Sequence, residues 1–383
     1  MTSNFFFAPK NPYLCNMILK HLIINNFKNI SSADITFSTN INGLIGNNGM
    51  GKSNLLDAIY YLSFCRSFNG MLDRQLITNG ESFMMLHAQY DRAGTEEDIQ
   101  FGFTPGRKKS LKRKGKEYSK LSQHIGLFPL VLIAPQDINL ITGTSEDRRL
   151  FIDRIISQSD KIYLENLIKY NQLLEQRNKL LRDRQTNAVL YEAIEMQMQI
   201  AANYIAKARL AFVEKFAPIF NEYYNSITDS TEKVSLKYVT TLLDSENTLL
   251  KQFESCRRKD EAVCHTTVGI HRDDIDMQLN DMPVKRVASQ GQCKSYVISM
   301  KLAQYDFLRQ STNLHPLLLL DDIFDKLDST RVERIIDLVA GDKFGQIFIT
   351  DTNRSHLDSI MQHIDSDYKI WDVKNGQFNL ISQ

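Results

Sequence analysis

Apolar and polar positions change period several times along the chain, and each change marks an element. "ILKHLIINNF", from Ile18, reads as a first strand, and "ADITFSTNINGLI" alternates before turning apolar, as a strand feeding a loop does. Past that loop, Leu55, Leu56, Ile59, Tyr60 and Leu62 fall at helical spacing. "FPLVLIAPQD" is another short apolar strand, ending at Gln136. From "SEDRRLFIDRIIS" onward the period is helical again. Leu167, Leu174 and Leu181 repeat at sevens, with Tyr163 and Tyr170 beside them. "QTNAV" interrupts this pattern, and a second helix is expected from about Leu190 to Phe216, stopping before Pro218. Two antiparallel helices of roughly 25 residues would make an arm on the order of 40 Å long. Further on, "SYVISMKLAQYDFL" predicts a helix, and "HPLLLL" and "GQIFIT" predict two buried parallel strands.

The loop from Gly46 to Ser53, "GNNGMGKS", has the form G-x-x-x-x-G-K-[ST] between a strand and a helix. Gly46, Gly49 and Gly51 let the backbone curl with its N–H groups inward around phosphate oxygens. Gly46, Asn47, Asn48, Gly49, Met50, Gly51, Lys52, Ser53 and Asn54 therefore form a candidate nucleotide cradle. Lys52 can reach the β- and γ-phosphates, and Ser53 can ligate Mg²⁺. A P-loop needs an acidic strand end, and "LLLLDD" supplies one: Asp321 for the metal and Asp322 to orient the attacking water. The competing reading, a glycine-rich turn and a strand capped by solvated aspartates, leaves the strand–loop–helix order unexplained. In "ASQGQCKSY", Ser289, Gly291 and Gln292 open a second anion-ready helix, with Ser289 as N-cap. ATP and Mg²⁺ are the cofactors these patterns imply.

The 383 residues are 43% hydrophobic, enough for a large core and two domains. Lys+Arg 46 against Asp+Glu 45 leaves a net charge of +1, so nucleic-acid contact requires a local patch rather than a bulk field. "GRKKSLKRKGKEYSK" supplies such a patch, a hairpin turning at Gly115, with Lys109, Lys112, Arg113 and Lys114 as DNA-phosphate candidates. Its alternative is a lysine-rich edge that blocks strand pairing. Arg148 and Arg149 face either DNA or Glu146 and Asp153 at the arm base. The five cysteines include no C-x-x-C pair, and Cys256, Cys264, His265 and His271 match no common zinc spacing. No apolar run is long enough to span a bilayer, and "MTSNFFFAPKNPYLCN" lacks the build of a signal peptide. A reducing cytoplasm and no membrane partner are expected.

The order P-loop, Ser-x-Gly-Gln helix start, then hhhhDD with Leu327 and Asp328 beyond it resembles that of ABC-type ATPases. That resemblance implies that Gln136 senses Mg²⁺ and water, and that Ser289 and Gly291 cap the γ-phosphate of ATP held by a second subunit. The finer motifs resemble the RecF family of recombinational-repair ATPases, relatives of the SMC proteins. "FKNI" (27–30), "NLLDAIYYLSFCRSF" after the P-loop, "GTSEDRRLFID" (143–153) and "VGIHRDD" (268–274) match the family from about Met17 to the C-terminus. Lys28 replaces an arginine, and two prolines of the family pattern are missing. Arg66 in "CRSF" resembles a phosphate-side arginine of SMC-like heads. The role of His271, Arg272 and Asp273 is open, with a domain-junction network as the plainer reading.

The resemblance implies an α/β, ABC/SMC-type P-loop head assembled from both chain ends, with a helical arm inserted. The expected division is an extension at 1–16, head at 17–142, arm at 143–262 and head again at 263–383. It implies an ATP-driven homodimer on duplex DNA at single-strand gaps, acting with RecR and RecO so that RecA replaces single-strand-binding protein. Replication, SOS induction and a nucleoid location belong to the same expectation. Slow hydrolysis is expected too, because Asp322 stands where transporters have glutamate, one methylene closer to the water. The alternatives are an SMC-like clamp or defence ATPase, or a transporter-type ABC ATPase.

Overall fold

The structure, a computed structural model, describes residues 15–228, 232–243, 246–324, 328–341, 343–362 and 367–382. Most of the expected N-terminal extension, together with Leu327, lies outside the described residues. The chain forms two compact units: Met1–Asp137 with Met300–Gln383, and Ile138–Ser299. This grouping places the stretch around Ser289 with the second unit, where the expected division at 262/263 would put it with the head.

In the first unit, a six-stranded antiparallel sheet runs in the order Ile30–Thr36, Met17–Phe27, Met84–Arg92, Thr95–Phe103, Ser110–Arg113, Lys116–Glu117. A second sheet of six runs Gln377–Ser382, Tyr368–Lys374, Ile41–Ile45, Ile347–Asp351, Leu317–Asp321, Leu130–Ile133. All its pairings are parallel except that of the C-terminal hairpin. The helix Lys52–Phe64 touches strands of both sheets, and Leu55, Leu56, Ile59, Tyr61 and Leu62 are buried in one core with residues from each. A helix covered on both sides is apolar nearly all round, which explains the dense hydrophobic run after the loop. Gln346 joins the layers from within: its amide bonds Leu19 N (2.7 Å), Leu19 O (2.9 Å) and Ser38 O (2.7 Å).

The second unit holds helices Ser145–Ser159, Lys161–Arg182, Ala188–Ile227 and Leu249–Val263. A three-stranded sheet, Met282–Pro283, Asp274–Leu279 and Val234–Val239, completes it. The two long helices are antiparallel, since Tyr163 meets Arg209 while Arg177 meets Glu195. The longer does not stop before Pro218; it runs on to Ile227. A proline inside a helix costs about 3 kcal/mol. Buried Phe216, Phe220, Tyr223, Tyr224 and Ile227 straddle it on one face and outweigh that cost, at roughly 1.5–3 kcal/mol each. The buried row of the first helix is also not the leucine heptad. Tyr163, Tyr170, Leu173, Arg177 and Leu181 are buried, while Leu167 and Leu174 are half-buried. The two antiparallel helices of the expected arm domain are joined by a third, Leu249–Val263, laid against both.

Candidate nucleotide-binding site

The strand Ile41–Ile45 delivers the chain into the loop, and Gly51 ends it as the helix N-cap, at φ 116°, with no side-chain cap and no acid in the first turn. The first backbone N–H groups of Lys52–Phe64 are thereby left for an anion. Gly46 is required sterically: a Cβ there would stand 2.4 Å from the Val373 carbonyl oxygen. Lys52 folds over the loop, and its Nζ donates to the carbonyls of Gly46 (2.6 Å) and Asn47 (3.1 Å). Asn47, Asn48 and Gly49 are exposed at the rim.

Leu317–Asp321 is not adjacent to the loop's own strand; Ile347–Asp351 lies between them. Ser53 Oγ nevertheless donates to Asp321 Oδ1 at 2.7 Å. Thr350, at the end of the intervening strand, donates to the same oxygen at 2.7 Å. Thr350 was not among the sequence candidates, although the strand "GQIFIT" carried it in view. Burial raises the Asp321 carboxyl above its ordinary range, opposed by the hydroxyls of Thr350 and Ser53 and by Lys52. The adjoining Asp322 sits in left-handed backbone, φ 46°, its N–H directed at Thr350. That conformation is uncommon for a side chain other than Gly, Asn or Asp, and it turns the residue out of the strand direction.

Asp321 also yields a sign for stability. A carboxyl raised on folding stabilises the fold below its unfolded pKa, and that contribution is lost as pH rises through the folded value. Asp321→Asn should therefore raise the unfolding temperature of the nucleotide-free protein at pH 7.5, a difference that shrinks as pH falls. The same variant should lose the Mg²⁺-dependent part of nucleotide affinity. A lower melting temperature than wild type at pH 7.5 would contradict the argument.

The remaining candidates separate. Gln136 is exposed just past the strand Leu130–Ile133, and its Nε2 donates to Asn69 Oδ1 (3.0 Å). Arg66 is exposed directly after Cys65, whose left-handed C-cap closes the P-loop helix. In the second unit, Ser289 Oγ accepts from Gln292 N (3.2 Å), and Gln292 Oε1 accepts from Ser289 N (2.7 Å). This reciprocal box caps the helix Gln290–Thr312, so Ser289 is an N-cap as its sequence context required.

The DNA candidates differ in their local pairing. The hairpin exists, with its two-residue turn at Lys114 and Gly115. Lys109, however, pairs with Asp73 (2.7 Å) and donates to the Cys65 carbonyl (3.1 Å). Arg113 grips Glu97 through two bonds (2.8 and 2.6 Å), holding that carboxyl below its usual range, and Lys114 stands 3.5 Å from it. Three of the four thus stand beside an acid. Lys112 remains exposed, on the face opposite buried Leu111.

Arg148 and Arg149 likewise turn inward, though not to Glu146 or Asp153. Arg148 takes Asp274 (2.7 and 2.9 Å) and Arg149 the Asp273 carbonyl (2.5 Å). The His-Arg-Asp motif thus bonds within the second unit. His271 is held by the Tyr170 hydroxyl (2.9 Å) and the Thr266 carbonyl (3.1 Å), and burial lowers its pKa to about 4.

The family model for the RecF/RecN/SMC N-terminal domain matches residues 18–378. The DNA replication and repair protein RecF of Parabacteroides distasonis is 48% identical over 361 residues, 94% of this chain and 98% of that protein. The chain belongs to the RecF family. The RecF of Bacteroides thetaiotaomicron is 47% identical over 365 residues, 95% of this chain and 98% of that protein. Among solved structures, RecF with ATPγS superposes with a TM-score of 0.86 at 27% identity, covering 97% of this chain and all (100%) of that one. RecF with ATP gives 0.85 at 28%, covering 96% and 100%. Both are described as the recombination mediator of the RecFOR pathway. An SMC head from Pyrococcus furiosus, with a TM-score of 0.56 at 16% identity and 96% coverage of each chain, shares the fold alone. The RecF family is one of P-loop ATPases, with the ABC/SMC-type head built from both chain ends. No described helix is long and apolar enough to cross a membrane.

Proposed function

We propose that the chain is an ATP-gated DNA-binding protein of recombinational repair. The observation that carries this reading is the meeting of Lys52, Ser53 and Asp321 around one loop, in a chain of the RecF family. ATP occupies residues 46–54. Ser53 and Asp321 are two hard oxygen donors, a set that suits Mg²⁺ shared with phosphates, and the ion would supply charge neutralisation there. Lys52 exchanges the Gly46 and Asn47 carbonyls for phosphate oxygens. Asp322 and Gln136 orient the attacking water, and Arg66 faces the phosphates. Ser289, Gly291 and Gln292 of a second copy cap the γ-phosphate, and that copy receives the same contact in return.

The closed dimer holds duplex DNA beside a single-strand gap and works with RecR and RecO to let RecA displace single-strand-binding protein, in the cytoplasm at the nucleoid. The test is ATP-dependent retention on gapped duplex compared with single strands alone. Retention lost in Lys52→Ala supports the reading; equal retention with and without ATP removes it. Capture of RecR by the ATP-loaded protein separates a repair mediator from an SMC-like clamp.

For the DNA surface, Lys108, Lys112 and Lys116 replace the internally paired trio. Each is exposed and forms no ion pair among the described residues. Changing these three to Ser should lower the slope of log K against log salt by about two to three, at roughly 0.9 per phosphate. An unchanged slope would make the hairpin a solvated edge.

A further inference from the structure

The C-terminal hairpin pairs Tyr368–Lys374 with Gln377–Ser382 through a two-residue turn, Asn375–Gly376, which has no role in any motif read from the sequence. Both turn residues have positive φ, 50° and 78°, as a type I′ turn requires. This turn does not end in solvent. Gly376 N donates to the Met50 carbonyl at 2.8 Å, in the middle of the phosphate loop. A Cβ on Gly376 would stand 2.3 Å from the Asn29 carbonyl oxygen, and a Cβ on Gly51 would stand 3.3 Å from Gly376 Cα.

Asn29 closes the arrangement from the other side. Its Nδ2 donates to the Gly49 carbonyl (3.3 Å), and its Oδ1 accepts from Asn54 Nδ2 (2.8 Å). Gly49, Met50 and Asn54 are thus each held by a residue from outside the loop. The backbone N–H groups that cradle phosphate can point inward only while their carbonyls point outward and are satisfied there. The two turns supply that outer shell.

We propose that Gly376 and Asn29 are positioning residues for nucleotide binding, two halves of a buttress that fixes the curl of the phosphate loop. The proposal rests on the reading of residues 46–54 as an ATP cradle. It assigns the last strand pair of the chain, and the "FKNI" turn, to the binding machinery.

The fold provides a matched control. Ala93–Gly94 joins Met84–Arg92 to Thr95–Phe103 in the same two-residue geometry, φ 55° and 77°. A Cβ on Gly94 meets nothing within 4 Å. Gly376→Ala and Gly94→Ala therefore carry the same backbone strain, and only the first presses on the loop. Equilibrium titration with a fluorescent ATP analogue, and separately with ADP, should show Gly376→Ala weakened at least tenfold for both nucleotides. Gly94→Ala should stay within twofold of the unaltered protein, although both variants lower the melting temperature. A general loss of stability would move the two variants together.

Gly376→Ala binding within twofold, or Gly94→Ala weakened by the same factor, overturns the proposal. Should Gly376→Ala fail to fold, Asn29→Ala decides: it adds no atoms and removes two bonds, and a three- to tenfold loss is expected. Unchanged affinity in Asn29→Ala overturns the proposal as well. Lys52→Ala accompanies the series. If it binds ATP as tightly as the unaltered protein, the cradle reading itself has failed, and the buttress falls with it for a distinguishable reason.

Discussion

Lys52→Ala and Ser289→Arg, each unable to dimerise with ATP alone, should associate when mixed. Lys52→Ala removes the charge that grips the phosphates and leaves its Ser289 face intact. Ser289→Arg keeps the cradle but places a bulky cation where the partner's γ-phosphate must be capped. A homodimer of either has two damaged sites. The mixed dimer has one site that joins both mutated halves and one that joins two unaltered halves. Only the second closes. Sedimentation or light scattering with ATP should therefore show association in the mixture, weaker than wild type, and none for either variant alone. The Ser289–Gln292 box sets a control, since losing the cap costs about 1 kcal/mol of helix stability. Each variant must first be shown to be folded. Normal dimerisation by Ser289→Arg alone, or no recovery on mixing two folded variants, would refute a site shared between chains.

The phosphate loop was legible because its chemistry is local. Eight consecutive residues carry the glycines, the lysine and the hydroxyl, so spacing alone identifies them. The strand ends were legible for a related reason, since a run of four leucines before two aspartates has few structural uses. What escaped the sequence lies at long range. Thr350 binds Asp321 across 29 residues, and Asn29 reaches the loop it supports across 20. A lone threonine or asparagine carries no signal until the fold brings its partner.

The pairing within the basic hairpin is hidden for the same reason. Eight cations in fifteen positions look like a DNA surface, and the acids that pair with three of them, Asp73 and Glu97, stand outside the run. Apolar periodicity has a matching blind spot in the second unit. Arg177 occupies a core position, paired with Glu195 and, 83 residues away, Asp260, so apolar spacing alone puts the buried face of its helix one row off. Leu249–Val263 is so charged that its sequence shows no clear helical period.

Arg209 carries a large expected stability effect. It is buried with its guanidinium against Asp153 (3.1 and 3.0 Å), Asp273 (3.2 Å), the Tyr163 hydroxyl (3.1 Å) and the Ile270 carbonyl (2.9 Å). It thereby fastens the long helix to both "GTSEDRRLFID" and "VGIHRDD". Removing one partner of a buried ionic cluster leaves the others desolvated and uncompensated, at about 3–5 kcal/mol. Arg209→Ala should lose that much in urea unfolding. Arg148→Ala, whose partner Asp274 is part-exposed, should lose about 1 kcal/mol or less. The pH dependence follows from Asp273, whose carboxyl burial already raises even beside Arg209. Without the arginine it rises further, and a raised carboxyl destabilises increasingly as pH climbs through its folded value. The deficit of Arg209→Ala should accordingly shrink as pH falls from 7 toward 5. A loss under 1 kcal/mol, or a deficit that grows on acidification, would show that the cluster does not hold the second unit together.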